Sequence, residues 1–255
     1  MIAVLEQTIK NIPCLVVEKK ELQLKPLPTV VYFHGFTSAK EHNLPLAFLL
    51  AKKGFRVLLP DSMYHGERAE NITEEQFQMS FWNIVLKNVE ELELIKQYLD
   101  EEQLLIEGKI GVAGTSMGGI TTAAVLTKYP WIKAGAILMG APKIVDFAKH
   151  LVSTFEEATA KAIAPSLLEE TMEVLNELDL SKNINALQNR PLFLWHGDAD
   201  RVVPFNFSYP FYEEAKNLYE TKENIKFVKE TNRDHKVSRP AILQTVAWFE
   251  KHLIS

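Results

Sequence analysis

Cysteine is nearly absent: Cys14 stands alone in 255 residues, so no internal disulfide can form. A cytoplasmic setting is the expectation that follows. Long apolar runs are missing too. No stretch reaches the roughly eighteen consecutive apolar residues that a membrane-spanning helix needs. Met1 to Lys10 lacks a basic start followed by an apolar run, so no secretion leader is expected. Neither sign of charge dominates. The 28 Lys and Arg against 33 Asp and Glu leave a net charge of -5, which gives nucleic acid or an anionic membrane no purchase. No G-x-G-x-x-G follows a strand-like run, so no dinucleotide cofactor is expected. The histidines are scattered, with no H-E-x-x-H and no paired cysteines, and no metal is expected either.

What is present is an ordinary globular composition, 47% hydrophobic and 24% charged. The length suits one α/β domain spanning residues 1–255. Short apolar runs alternate with amphipathic segments, the pattern of a mostly parallel central sheet flanked by helices. Strands are expected at Ile12 to Val17, Thr29 to Phe33, Phe55 to Leu59, Ile110 to Ala113, Ala134 to Met139, Leu192 to Trp195 and Ile225 to Lys229. Helices are expected at Leu44 to Lys53, Glu74 to Leu99, Thr121 to Tyr129, Asn206 to Glu220 and Pro240 to His252. Residues 142–188 break the rhythm. Nearly fifty residues pass there without a convincing strand, and two helical patterns (Ile144 to Ala162 and Ser166 to Leu178) suit a helical cap over a site, the alternative being an ordinary crossover elaborated with extra helices.

The chain is organised around Gly114-Thr115-Ser116-Met117-Gly118, a G-x-S-x-G between a buried strand and a helix. In such a turn the serine hydroxyl is pushed into the open, and glycines stand where side chains would collide. The helix that follows aims its positive end at the place where an oxyanion would form.

A serine hydroxyl is a poor nucleophile and needs a base, for which histidine is suited. His235 lies in the polar loop Thr231 to Lys236 between the last strand and the last helix. Ligands of parallel α/β sheets gather outside the carboxyl ends of the strands, where this loop and the serine turn both lie. The base needs an acid to orient its ring. Trp195-His196-Gly197-Asp198-Ala199-Asp200 offers two aspartates just after a strand, and composition alone does not choose between them. The chain order serine, aspartate, histidine is that of the α/β-hydrolases.

On these residues the chain resembles an α/β-hydrolase. It is similar to the single-domain serine esterases related to dienelactone hydrolase and to the prolyl oligopeptidase catalytic domain. The resemblance runs from the strand before His34-Gly35 to the final helix. It implies a Ser116, Asp200, His235 triad, because Gly197-x-x-Asp200 followed by Val202-Val203-Pro204 matches the acid motif of that group. His34-Gly35-Phe36 matches its His-Gly-aromatic loop, which implies an oxyanion hole built from the backbone amides of Phe36 and Met117, with His34 bracing the loop. Asp61 and the His65-Gly66 loop resemble a structural turn of these folds. Two departures limit what carries over. The nucleophile is serine where dienelactone hydrolases use cysteine, and the peptidases' propeller is missing.

The activity implied is carboxylic ester hydrolysis through an acyl-enzyme, on a small-molecule acyl ester, with no cofactor. A monomer or homodimer is expected. Amide, peptide or thioester hydrolysis and acyl transfer could run on the same triad, and the fold can also serve as a ligand receptor without turnover. Most of the aromatic run Phe205, Phe207, Tyr209, Phe211 and Tyr212 reads as core, as does Phe81-Trp82. Phe147, Leu151 and Phe155 lie at helical spacing and could form the underside of the cap.

Overall fold

The computed structural model describes residues 1–154 and 165–254. Eight strands form one sheet: β1 (Ile2–Ile9), β2 (Ile12–Lys19), β3 (Leu27–Phe33), β4 (Arg56–Pro60), β5 (Leu105–Thr115), β6 (Ala134–Leu138), β7 (Leu192–Gly197) and β8 (Ile225–Glu230). Their spatial order is β1-β2-β4-β3-β5-β6-β7-β8. β1 and β2 pair antiparallel, β2 joins β4 antiparallel, and every pairing from β4 to β8 is parallel. Such a sheet is covered on both faces, so its strands read as continuous apolar runs. Side chains still alternate between the two layers. Val31, Phe33 and Val112 join the core beneath α3 (Phe81–Glu101) and α4 (Met117–Lys128). Val30, Tyr32 and Ala113 join the opposite core, beneath α1 (Leu44–Lys52) and α8 (Arg239–Phe249).

β1 is the strand that the apolar pattern leaves unread. Its outer residues are largely exposed, so alternation is weak. The usable signal is the turn Lys10-Asn11, where both residues take positive φ (48° and 70°) and close a two-residue hairpin. The single helix expected over Glu74 to Leu99 is two helices, α2 (Glu74–Met79) and α3. At the break, Ser80 Oγ donates to the Gln76 carbonyl at 2.7 Å, and its amide is shared between the Gln76 and Phe77 carbonyls. A serine bonding back to the preceding turn competes with helix propagation. The helix expected from Asn206 begins later, as α7 (Tyr209–Leu218), with Pro210 in its first turn.

Between β6 and β7 lie α5 (Ile144–Thr154) and α6 (Pro165–Leu178). The rest of the expected first helix, with Phe155, falls outside the described residues. Asp179, fully buried, closes the root of this insertion. Its Oδ2 accepts the Val145 amide at 2.8 Å, and its Oδ1 accepts the Ser181 amide and hydroxyl at 2.9 and 2.6 Å. The first turn of α5 and the exit from α6 are thereby held at one point. Among the described residues no helix is long and apolar enough to cross a membrane.

A second buried polar residue sets the far end of α4. Arg190 donates to the carbonyls of Leu126 (2.5 Å), Tyr129 (2.9 Å) and Ile132 (3.0 Å), and to those of Ala186 and Leu187. The Leu126 and Tyr129 carbonyls are at the C-terminus of α4, where the last carbonyls lack helical partners and a cation complements the helix dipole, and the others belong to the loop after α4 and to the turn Ile184–Leu187. Arg190→Met should leave several of them buried and unpaired and cost at least about 3 kcal/mol. The midpoint and slope of urea unfolding would measure the loss.

Candidate active site

The turn after β5 is set by backbone contact. A Cβ on Gly114 would lie 2.3 Å from the Gly118 backbone, and one on Gly118 would lie 2.0 Å from the Phe33 carbonyl oxygen. Only glycine lets the strand, the turn and α4 approach this closely. Ser116 between them takes φ 56° and ψ -116°, and its amide donates to the Leu138 carbonyl at 2.9 Å. Strained backbone of this kind persists only where the surroundings over-determine it. Here it leaves the serine half-buried at the carboxyl end of the sheet.

The loops after β7 and β8 converge on it. Nε2 of His235 lies 2.9 Å from Ser116 Oγ, and its Nδ1 lies 2.7 Å from Asp200 Oδ2. Of the two aspartates that composition left open, Asp200 is the one facing the ring. Asp198 instead accepts the Asn232 amide at 2.7 Å and pairs with Lys229 at 3.2 Å, tying the two loops together. Asp200 is buried and saturated with donors. Oδ1 accepts the Val202 and Val203 amides at 2.9 and 3.0 Å. Oδ2 lies 3.3 Å from Nε2 of His196 as well as against His235. Burial pushes this carboxyl up, but hydrogen bonds from His196, His235 and the Val203 amide outweigh it and hold the group well below the usual carboxylate range. Asp200 is thus an anion at any ordinary pH.

His196 carries no sequence pattern of its own that assigns it a role. It is fully buried, bonds the Val203 carbonyl through Nε2 at 2.8 Å, and leaves Nδ1 without a partner. Its place directly before the Gly197-x-x-Asp200 step was the available signal.

Phe36 follows β3, next to the serine turn, and Met117 opens α4. The amide of Met117 is a first-turn donor with no acceptor inside its own helix. Two neutral histidines pin the loop carrying Phe36. His34 donates from Nδ1 to the Gly35 carbonyl (2.8 Å) and accepts the Ser62 amide at Nε2 (3.0 Å). His65 donates from Nδ1 to the Met63 carbonyl (2.8 Å) and accepts the Thr37 amide at Nε2 (3.1 Å). The turn that holds His65 is closed by buried Asp61, which accepts the Lys40 and Glu67 amides at 3.1 and 3.0 Å and pairs with Lys40 Nζ at 2.6 Å. Burial lowers both histidine pKa values, that of His34 to about 4.

Above Ser116 lies a cavity of about 250 Å³. Its floor includes Phe36 and Val203, one wall is Phe81 and Trp82 from the start of α3, and its roof is Phe147 and Leu151 of α5 with Met172 and Leu175 of α6. The aromatic residues therefore divide. Phe81 and Trp82 line the cavity, whereas Phe205, Tyr209 and Tyr212 pack on Phe227 of β8. Phe211 is core, and Phe207 meets Phe147 from behind at 5.5 Å between ring centres. Among the described residues no three His, Cys, Asp or Glu side chains converge as metal ligands would.

Protonating His34 would turn its Nε2 from an acceptor of the Ser62 amide into a donor facing it. With the folded pKa near 4 and the unfolded one at 6.5, the unfolded chain binds more protons between these values, so stability falls as pH drops through that window. In denaturant titrations His34→Gln, whose amide oxygen can still accept from Ser62, should lose about 2 kcal/mol less than the parent between pH 7 and pH 4.5.

A family model described as the prolyl oligopeptidase family matches residues 47–254, which include Ser116, Asp200 and His235. YitV of Bacillus subtilis (strain 168), a candidate esterase by name, is 44% identical over 255 residues, 99% of this chain and 100% of its own length. Esterase YjfP of Escherichia coli (strain K12) is 28% identical over 265 residues, covering 99% of this chain and 100% of that one. The crystal structure of TT1662 from Thermus thermophilus superposes with a TM-score of 0.79 at 18% identity, over 100% of this chain and 99% of that one. A candidate dienelactone hydrolase from Klebsiella pneumoniae superposes with a TM-score of 0.68 at 16% identity, over 98% of each chain. At these identities the two structures speak for the fold. The chain has the α/β-hydrolase fold and belongs to the prolyl oligopeptidase family.

Proposed function

We propose that the protein is a serine carboxylesterase that hydrolyses small to medium acyl esters on the Ser116, His235, Asp200 triad, with residues 142–188 acting as the cap of a single domain. One observation carries the reading: the unbroken relay from Ser116 Oγ to His235 (2.9 Å) to a buried, anionic Asp200 (2.7 Å), opening on an apolar cavity. The curated relatives named as esterases, aligned over nearly the whole chain, support it.

His235 Nε2 takes the Ser116 proton as Oγ attacks the ester carbonyl carbon. Asp200 holds the ring and stabilises the imidazolium. The Phe36 and Met117 amides donate to the carbonyl oxygen as it gains charge in this mechanism, a contribution of about 3–4 kcal/mol per donor. The same proton then goes to the departing alcohol, leaving the acyl group on Ser116. A water that gives its proton to His235 releases the acid, and Oγ recovers its proton. Ester cleavage is favoured over peptide cleavage because the cavity walls are mostly hydrocarbon and offer little to satisfy a peptide's amides.

Ser116→Ala should keep the fold and lower kcat on p-nitrophenyl butyrate at least about a thousandfold. It should also abolish labelling by a fluorophosphonate probe. Asp200→Asn should lower kcat by about ten-thousandfold with the serine still in place. Unchanged turnover in purified Ser116→Ala would sink the assignment.

A further inference from the structure

The cavity over Ser116 is lopsided with respect to the reaction, and that decides which half of an ester it receives. The departing alcohol takes its proton from Nε2 of His235, so it must lie on the His235 side of the carbonyl carbon. The cavity opens on Ser116 and Phe36, yet His235 is not among the described residues that line it. The His235 ring is instead partly open, with its side chain 20% exposed. The part of the substrate that enters the cavity is therefore the part that stays on the serine.

Resting on the hydrolase reading above, we infer that this cavity is an acyl pocket for uncharged, apolar acyl groups of about eight non-hydrogen atoms, and that the alcohol is left in the open cleft by His235 and goes unselected. The size follows from 250 Å³ of free space at roughly 30 Å³ per water-sized group. The exclusion of charge follows from the lining. Phe36, Phe81, Trp82 and Phe147 are linked by edge-to-face contacts with ring centres 5.0 to 6.5 Å apart, and line the space beside Leu151 and Leu175. No Asp, Glu, Lys, Arg or His is among the described lining residues. Gln78 and Asn83 are exposed and stand at the rim. A carboxylate or ammonium on the acyl group would lose its water and meet no opposite charge among the described lining residues, whose polar side chains inside the rim are the hydroxyls of Ser116 and Thr171.

The bonds made and broken are those of the hydrolase cycle. The Oγ–acyl bond forms as the acyl–alcohol bond breaks, and the serine proton leaves with the alcohol through His235. Selection acts in both half-reactions, because the same acyl group is still in the pocket when water attacks.

Two substrate series on the purified full chain test this. In the first the alcohol is fixed as p-nitrophenol while the acyl group runs through acetate, butyrate, hexanoate, dodecanoate and hemisuccinate. In the second the acyl group is fixed as butyrate while the alcohol runs through ethanol, hexanol and benzyl alcohol, followed by pH-stat. The expected result is that kcat/KM falls about a hundredfold from the best acyl group to dodecanoate and to hemisuccinate, but stays within about tenfold across the alcohols. Trp82→Ala, or Leu151→Ala as a milder enlargement, should move the acyl optimum to a longer chain and leave the ratios of kcat/KM between the alcohols unchanged, whatever happens to the common rate on butyrate. A wider spread in the alcohol series than in the acyl series, or hemisuccinate turned over as fast as butyrate, would overturn the pocket assignment while leaving the hydrolase reading intact. Failure to turn over any ester would overturn both.

Discussion

Everything at this site depends on backbone crowding where β5 turns into α4. The Gly118 Cα stands so close to the Phe33 carbonyl that no Cβ fits between them. That contact draws the start of α4 against the end of β3, forces Ser116 to a positive φ, and sets the Met117 amide beside the loop that carries Phe36. The turn that presents Ser116 and the placing of α4 beside the Phe36 loop thus follow from a single packing contact, that of the start of α4 on the end of β3. Both ends of the helix are held. Its N-terminus is pressed against β3, and its C-terminal carbonyls are gathered by buried Arg190.

Electrostatics then divides the histidines by task. His34 and His65 are buried away from carboxylate partners of their own, so desolvation keeps them neutral and lets each accept a backbone amide of the loops beside the site. His235 faces a carboxylate that is already supplied with two amides and a second imidazole. Asp200 has little freedom to move and no tendency to take a proton, as befits a group that must hold an imidazolium steady. One residue type gives a rigid acceptor in one setting and a proton carrier in another, and burial plus partner decides which.

The insertion brings apolar side chains to the cavity and, among the described lining residues, no titratable group. Its helices contribute hydrocarbon above the serine, and their root is tied by one buried carboxylate, Asp179, whose oxygens take donors from both ends. That single anchor fixes where the roof begins and ends relative to β6 and β7. Phe147 carries the connection further, with Phe207 behind it and Phe81 and Trp82 facing it.

The local signals were sufficient for the layers and for the chemistry-bearing residues. Apolar runs separated by amphipathic stretches specify a covered parallel sheet, since only burial on both faces tolerates strands such as Thr29 to Phe33 and Ile110 to Ala113. Gly114-x-Ser116-x-Gly118 carries its own steric reason. What stayed illegible depends on contacts between distant segments. β1 has a weak pattern because it is an edge strand, and the break at Ser80 is a local hydrogen-bond choice inside an otherwise helical periodicity. Asp198 and Asp200 are equivalent by composition, and although the resemblance to the family's acid motif implies Asp200, the physical difference arises only where β8 and its loop bring Asn232 and Lys229 to one and His235 to the other. The parts played by His65 and His196, and the division of the aromatic residues between core and pocket, likewise arise only when loops far apart in the chain meet. Periodicity and glycine placement are properties of neighbours in sequence, so the chain alone determined its layers and the turn that presents Ser116. Which rings wall the cavity and which side of the serine it opens on are properties of neighbours in space, and tertiary packing alone decided them.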